Sequence, residues 1–260
     1  MGEIKVGYDL DMWEKYHARS EIRLNARIQP HLLLCGSSGS GKSYLTLMLL
    51  RNLLVTYQDT LVLWFMDFKN SEDFKFMNKY SKYYSGENCG KGLESFYAEY
   101  QKVKDGTIVD DKIRLMIFDE WAGFMVWKTQ QNKKQAECYK GLLLEILLMG
   151  RSMQCGAWMI MQRNDAKYIE GREQMFATIV LGKMSKEMKQ MIMQGDDLEQ
   201  REVYACGEGI IRTDTIGTKF LKVPRLKDVT KVKQQILDCL TLAFTAKGGE
   251  SEGAEHQQSP

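Results

Sequence analysis

At 260 residues the chain is long enough for one large α/β domain, or a domain with a small appendage, and 44% hydrophobic residues supply a sizeable core. The net charge of +2 is too small to point to a nucleic-acid or membrane partner. Six cysteines without a C-x-x-C pair, beside three histidines, exclude a zinc or disulfide framework and read as reduced thiols of a cytoplasmic protein; no apolar run reaches spanning length and the N-terminus lacks a signal-peptide core, so no direct membrane insertion is expected.

Taken in chain order, residues 1–29 are a polar, mixed segment in which Ile22–Leu24 and Ile28 form a short strand or a cover over a ligand. Leu32–Cys35 is the first core strand, and Tyr44–Val55 is a helix apolar almost all round, hence buried on several sides. Thr60–Met66 is a strand ending at Asp67-Phe68-Lys69, and residues 70–92 read as irregular. Leu93–Lys104 is an amphipathic helix, and Ile113–Phe118 is a fully apolar strand running into Asp119-Glu120. Gln135–Met149 is a second buried helix, Gly156–Met161 a strand ending at Gln162, and Phe176–Leu181 a fifth strand. Gly209–Thr213 and Lys219–Val223 form a closing C-terminal β-hairpin around Gly217, then a helix follows at Thr230–Ala246 and a polar tail. Apolar strands alternating with helices predict an α/β fold: a parallel central sheet with helices on both faces.

Between the first strand and the first helix lies G-x-x-x-x-G-K-S, a phosphate-binding loop in its proper setting. Gly36, Ser37, Ser38, Gly39, Ser40 and Gly41 let backbone N–H groups curl around phosphate oxygens, and the helix N-terminus favours their charge. Lys42 is placed for the β- and γ-phosphates and Ser43 for Mg²⁺, so the chain is expected to bind a nucleoside triphosphate, ATP, with Mg²⁺. Asp119, at the end of a hydrophobic strand, suits the metal, and Glu120 suits a general base on the attacking water. The alternative for this pair is capping of a helix from Trp121 onward. Gln162 is a candidate sensor of the γ-phosphate or lytic water, or else a surface glutamine. Arg151 and Arg163 are candidate arginine fingers for a neighbouring subunit, or solvated arginines. Lys75, Lys79, Lys82 and Lys91 interleave with Phe74, Phe76, Tyr80, Tyr83 and Tyr84, a pattern that fits a nucleic-acid contact and equally a partly packed loop.

Four ordered blocks carry a family likeness. Pro30–Leu34 entering the loop resembles the PHLL-x-x-G entry of the FtsK/SpoIIIE DNA translocases, of the HerA/FtsK superfamily of P-loop ATPases. Asp67-Phe68-Lys69 resembles their D-P-K, IFDEWAGFM at 117–125 their DE-x-A-x-x-M, and GRSMQCGAWMIMQR at 150–163 their R-A-x-G-I-H-L-x-x-A-T-Q-R. The resemblance implies a RecA-like motor core over 30–226, then a helix at 227–246 and a disordered tail at 247–260. It implies a homo-oligomeric, hexameric ring that moves double-stranded DNA by ATP hydrolysis. Asp119 then serves the metal, Glu120 is the base, Gln162 the sensor, and Arg151 acts across the subunit interface. Phe68 and Asn164 stand where the family has proline, and FATIVLG at 176–182 lacks the usual arginine. With neither transmembrane segments nor a winged helix expected, the chain resembles the stripped motors of conjugative elements, plasmids and some packaging ATPases. A membrane channel or relaxosome protein is then the implied partner. FtsK-like ATPases that move proteins in secretion share these signatures, and a slow ATP-binding switch is a third reading.

Overall fold

The computed structural model describes residues 2–162, 168–184 and 204–248. Six strands lie parallel, and all but the short Tyr83–Ser85 are buried almost throughout, as strands covered on both faces are. Ala177–Leu181 (β8) pairs with Leu32–Gly36 (β3), which pairs with Cys155–Met161 (β7). Ile113–Asp119 (β6), Leu61–Asp67 (β4) and the short Tyr83–Ser85 (β5) continue the sheet outward. On the other side of β8 the pairing turns antiparallel, through Glu208–Thr213 (β9), Gly217–Lys222 (β10), Glu3–Asp9 (β1) and Glu21–Asn25 (β2).

The hairpin of β9 and β10 runs in register from Gly217 opposite Thr213 to Lys222 opposite Glu208. It does not close the sheet, as the sequence pattern suggested, because the N-terminal segment continues beyond it. Tyr8 and Asp9 pair with Lys222 and Leu221. The alternating residues Ile4 and Val6 are buried in the core, and Ile22–Leu24 lie in β2, the strand of the two readings open for them, so β1 and β2 form this edge of the sheet.

Each face of the sheet carries its own core. On one face, Leu45, Leu49 and Leu53 of Lys42–Thr56 (α2) meet Leu34, Ile160 and Ile179, with Ile236 and Leu240 of the terminal helix Val229–Gly248 (α6) packed outside. Burying leucines of this kind is worth about 1.5–3 kcal/mol each. On the other, Phe96 of Cys89–Lys104 (α3), Phe124 of Trp121–Gln131 (α4) and Ile146 of Lys133–Met149 (α5) meet Trp64, Met116 and Met159. Helix α4 starts at Trp121, where the sequence offered a helix only as an alternative. Asn132 separates it from α5 and caps the latter, its Oδ1 accepting from Gln135 N at 3.1 Å. Leu10–Tyr16 (α1) is a short turn packed by Leu10. Among the described residues no helix is long and apolar enough to cross a membrane.

Candidate active site

Parallel strands present their C-terminal ends at one edge, and four of the functional segments converge there. Cys35 pairs with Met161, Ile160 with Asp119, and Asp119 with Asp67. The loop after Gly36, the acidic ends of β4 and β6, and Gln162 just beyond β7 therefore share one rim.

The loop itself is set by two glycines. A Cβ on Gly36 would lie 2.6 Å from the Leu181 carbonyl oxygen and 2.5 Å from Ser40 Oγ, so only glycine lets the chain pass. Gly41 adopts φ 100° as the N-cap of α2, which turns the chain into the helix. Ser37, Ser38 and Gly39 form the exposed tip, with Gly39 at φ 77°. Lys42 Nζ donates to the carbonyl oxygens of Gly36 at 2.6 Å and Ser37 at 2.9 Å. Burial pushes the Lys42 pKa down, opposed by the charges of Glu120 and Asp119. Ser40 Oγ is buried without a partner, while the Ser40 carbonyl accepts from Gly207 N at 3.0 Å. An orphaned hydroxyl, an ammonium resting on the loop's own carbonyls and free N–H groups at a helix start form a donor set that fits phosphate oxygens. Ser43, in the first turn of α2, and Asp119 supply oxygen ligands of the kind Mg²⁺ takes.

Across the rim, the Asp119 carboxyl is pushed up to about 7, first by burial and then by the charges of Asp67 and Glu120. Asp67 is fully buried and its pKa is also raised, because burial outweighs its hydrogen bonds. Its Oδ2 accepts from Ser71 N at 2.8 Å and the Tyr83 hydroxyl at 3.0 Å, whereas Oδ1 has no partner. Glu120 takes the left-handed conformation, φ 62°, at the start of α4. Its side chain caps nothing and is instead ion-paired with Lys69. Helix capping is thus not what this pair does. The Phe68 ring packs edge-on against Phe124, and its N–H donates to the Asp119 carbonyl at 3.3 Å, a bond that the proline of the related motif could not make. Asp67 and Lys69 entered the sequence reading as the end of a strand and within a family-like block, with no role of their own. The available signal was a pair of charges closing a strand of unbroken apolar residues.

Gln162 is exposed at the rim. Arg151 is not there: it precedes β7, on the opposite edge of the sheet. Seven strand residues at about 3.3 Å each set it about 20 Å from its own loop. Its guanidinium lies 4.9 Å above the Phe176 ring, which stacks on His31. Arg163 and Asn164 lie outside the described residues. The lysine–aromatic stretch at 74–84 turns its rings inward: Phe74 is fully buried, the Tyr80 hydroxyl donates to the Leu63 carbonyl at 2.8 Å, and Lys82 lies over Trp64. It is a packed loop.

No family model matches the chain, and no curated protein does. Solved structures do. EssC (ATPases 2 and 3) from Geobacillus thermodenitrificans superposes with a TM-score of 0.68 at 13% identity, over 94% of this chain and 50% of that one. The pCW3 conjugation coupling protein TcpA, in a monomer form with ATPγS, gives 0.67 at 18% identity, over 91% and 70%. The cytoplasmic domain of the Thermomonospora curvata Type VII secretion ATPase EccC gives 0.63 at 16%, over 92% and 31%. The chain thus spans half of the EssC structure and under a third of the EccC one. A mostly parallel sheet flanked by helices, with a P-loop and an acidic pair on one rim, is consistent with a RecA-like P-loop NTPase fold, and these three structures share that fold.

Proposed function

We propose that this chain is an ATP-hydrolysing motor subunit. The observation that carries the reading is the meeting of the Gly36–Ser43 loop, Asp119, Glu120 and Gln162 on a single sheet edge. Backbone N–H groups of the loop and Lys42 bind the phosphates, and Ser43 with Asp119 would hold Mg²⁺. Mg²⁺ held there would neutralise charge on the phosphates. Glu120 accepts a proton from the attacking water, and Gln162 orients that water. Arg151, remote from its own loop, acts on the nucleotide of a neighbouring subunit in a homo-oligomeric ring.

For the cargo, a polypeptide is the better supported class. EccC is described as a secretion ATPase, and a second EccC structure, with a TM-score of 0.61, holds a signal sequence peptide. The inward-turned rings at 74–84 also remove the stacking platform that favoured nucleic acid. Double-stranded DNA is the second reading, on the strength of TcpA and the FtsK-like blocks. A slow switch is disfavoured by the presence of Glu120.

Steady-state ATP turnover, with and without linear duplex DNA and with and without a signal-bearing polypeptide, tests this directly, alongside sizing of the complex. Stimulation by polypeptide alone supports the first reading and stimulation by duplex alone the second. Absence of any turnover in an ATP-binding chain removes the motor.

A further inference from the structure

Lys69 belongs to neither the P-loop nor the acidic pair, yet the fold aims it at both. It follows β4, whose last residue Asp67 is in register with Asp119. The turn after it is pinned: Ser71 N donates to Asp67 Oδ2 at 2.8 Å, Asn70 N to the Asp67 carbonyl at 3.2 Å, and Phe68 N to the Asp119 carbonyl at 3.3 Å. Asn70 adopts φ 50°, a conformation asparagine tolerates, and the Phe68 ring is wedged against Phe124 and Trp127. Lys69 therefore leaves the backbone at a fixed place on the rim, with its ammonium on Glu120. The partners differ in burial: the Lys69 side chain is 46% exposed and that of Glu120 only 11%. The charge of Lys69 also acts on Lys42 and Asp119, which places it within electrostatic reach of the whole site.

We propose that Lys69 is a second phosphate-binding cation of this site, held by Glu120 until a triphosphate displaces that carboxylate. The proposal rests on the ATPase reading above. A carboxylate whose lone pairs accept from an ammonium is a poor proton acceptor, so Glu120 is idle as a base while the pair is closed. The terminal phosphate of a triphosphate offers oxygens with greater charge density than one carboxylate. A lysine on a flexible, half-exposed stem can change partners without moving the backbone. The exchange binds the nucleotide and frees Glu120 in one step, so the base becomes available only when a triphosphate is loaded. A diphosphate lacks the group that drives the exchange.

Equilibrium binding of a non-hydrolysable ATP analogue and of ADP, each with Mg²⁺, separates the possibilities on the full chain. Lys69→Met should weaken the ATP analogue about tenfold, the scale of one charged hydrogen bond, and ADP by less than about twofold. Lys69→Arg should restore binding to within about threefold of wild type, since the cation is kept. Glu120→Gln, which releases Lys69 in advance, should tighten the analogue several-fold, and this gain should vanish in the Lys69→Met/Glu120→Gln double variant. Equal losses for both nucleotides, no loss, or a gain that survives in the double variant would overturn the exchange. Thermal melting verifies that each variant is folded, and the Glu120→Gln arm stands without the methionine variant. A wild-type chain that binds neither nucleotide overturns the ATPase reading itself; binding without the ATP-over-ADP split overturns this inference alone.

Discussion

Asp67 and Asp119 stand directly opposite each other at the C-terminal ends of two neighbouring parallel strands, two carboxylates at one register position on the rim. Burial raises both pKa values, and the charge of Asp67 contributes to bringing Asp119 to about 7. A group of this kind sits at the edge of its ionisation near neutral pH.

Removing the neighbouring charge moves that edge. In Asp67→Asn the like-charge repulsion is gone, so Asp119 ionises at lower pH. The acid limb of the ATPase pH profile should shift down by several tenths of a unit or more. The amide can keep its oxygen on Ser71 and Tyr83 and turn its nitrogen to the side where Oδ1 has no partner. An acid limb that stays in place in this variant contradicts the electrostatic account.

The phosphate cradle and the base should separate in kinetics. Lys42→Ala is expected to lose nucleotide binding or turnover, whereas Glu120→Gln should bind ATP and hydrolyse it about 10²–10⁴-fold more slowly. Wild-type turnover in the Lys42 variant would remove the assignment of the pocket. Both are read from binding isotherms and steady-state rates.

Arg151 is on the wrong edge to help its own loop, which makes its expected behaviour a matter of mixing. Arg151→Ala alone should be inactive or nearly so, and mixing it with Glu120→Gln subunits should recover activity at the interfaces where an intact arginine faces an intact base. Lack of recovery in mixed assemblies would show that the arginine is only a surface partner of Phe176.

Acid stability offers a test away from the active site. His31 is fully buried, its Nδ1 accepts from Ala157 N at 3.2 Å, and burial lowers its pKa from 6.5 to about 4. Between those values the unfolded chain binds a proton that the native state refuses, so stability falls as pH drops from 6.5 towards 4. A shift of this size amounts to about 3 kcal/mol at full extent. Melting temperatures of wild type should fall across that window, and those of His31→Gln should fall less. Parallel slopes for the two proteins would mean that His31 protonates in the folded state.

What the sequence by itself determined was local. The glycine and lysine spacing of the loop, the apolar strands leading to Gly36, Asp119 and Gln162, the buried helix after the loop and the turn of the late hairpin are all written in consecutive residues, because close backbone approach and burial on two faces impose their own spelling. Only the tertiary structure decided that β1 and β2 extend the sheet beyond β10, since their short alternating pattern gains meaning from a partner strand about 200 residues away. The same holds for the rim. That Asp67 stands against Asp119, that Lys69 holds Glu120, and that Arg151 faces away from its own loop follow from strand order and direction, which bring residues together by hydrogen-bonded register and leave no mark on the segments themselves.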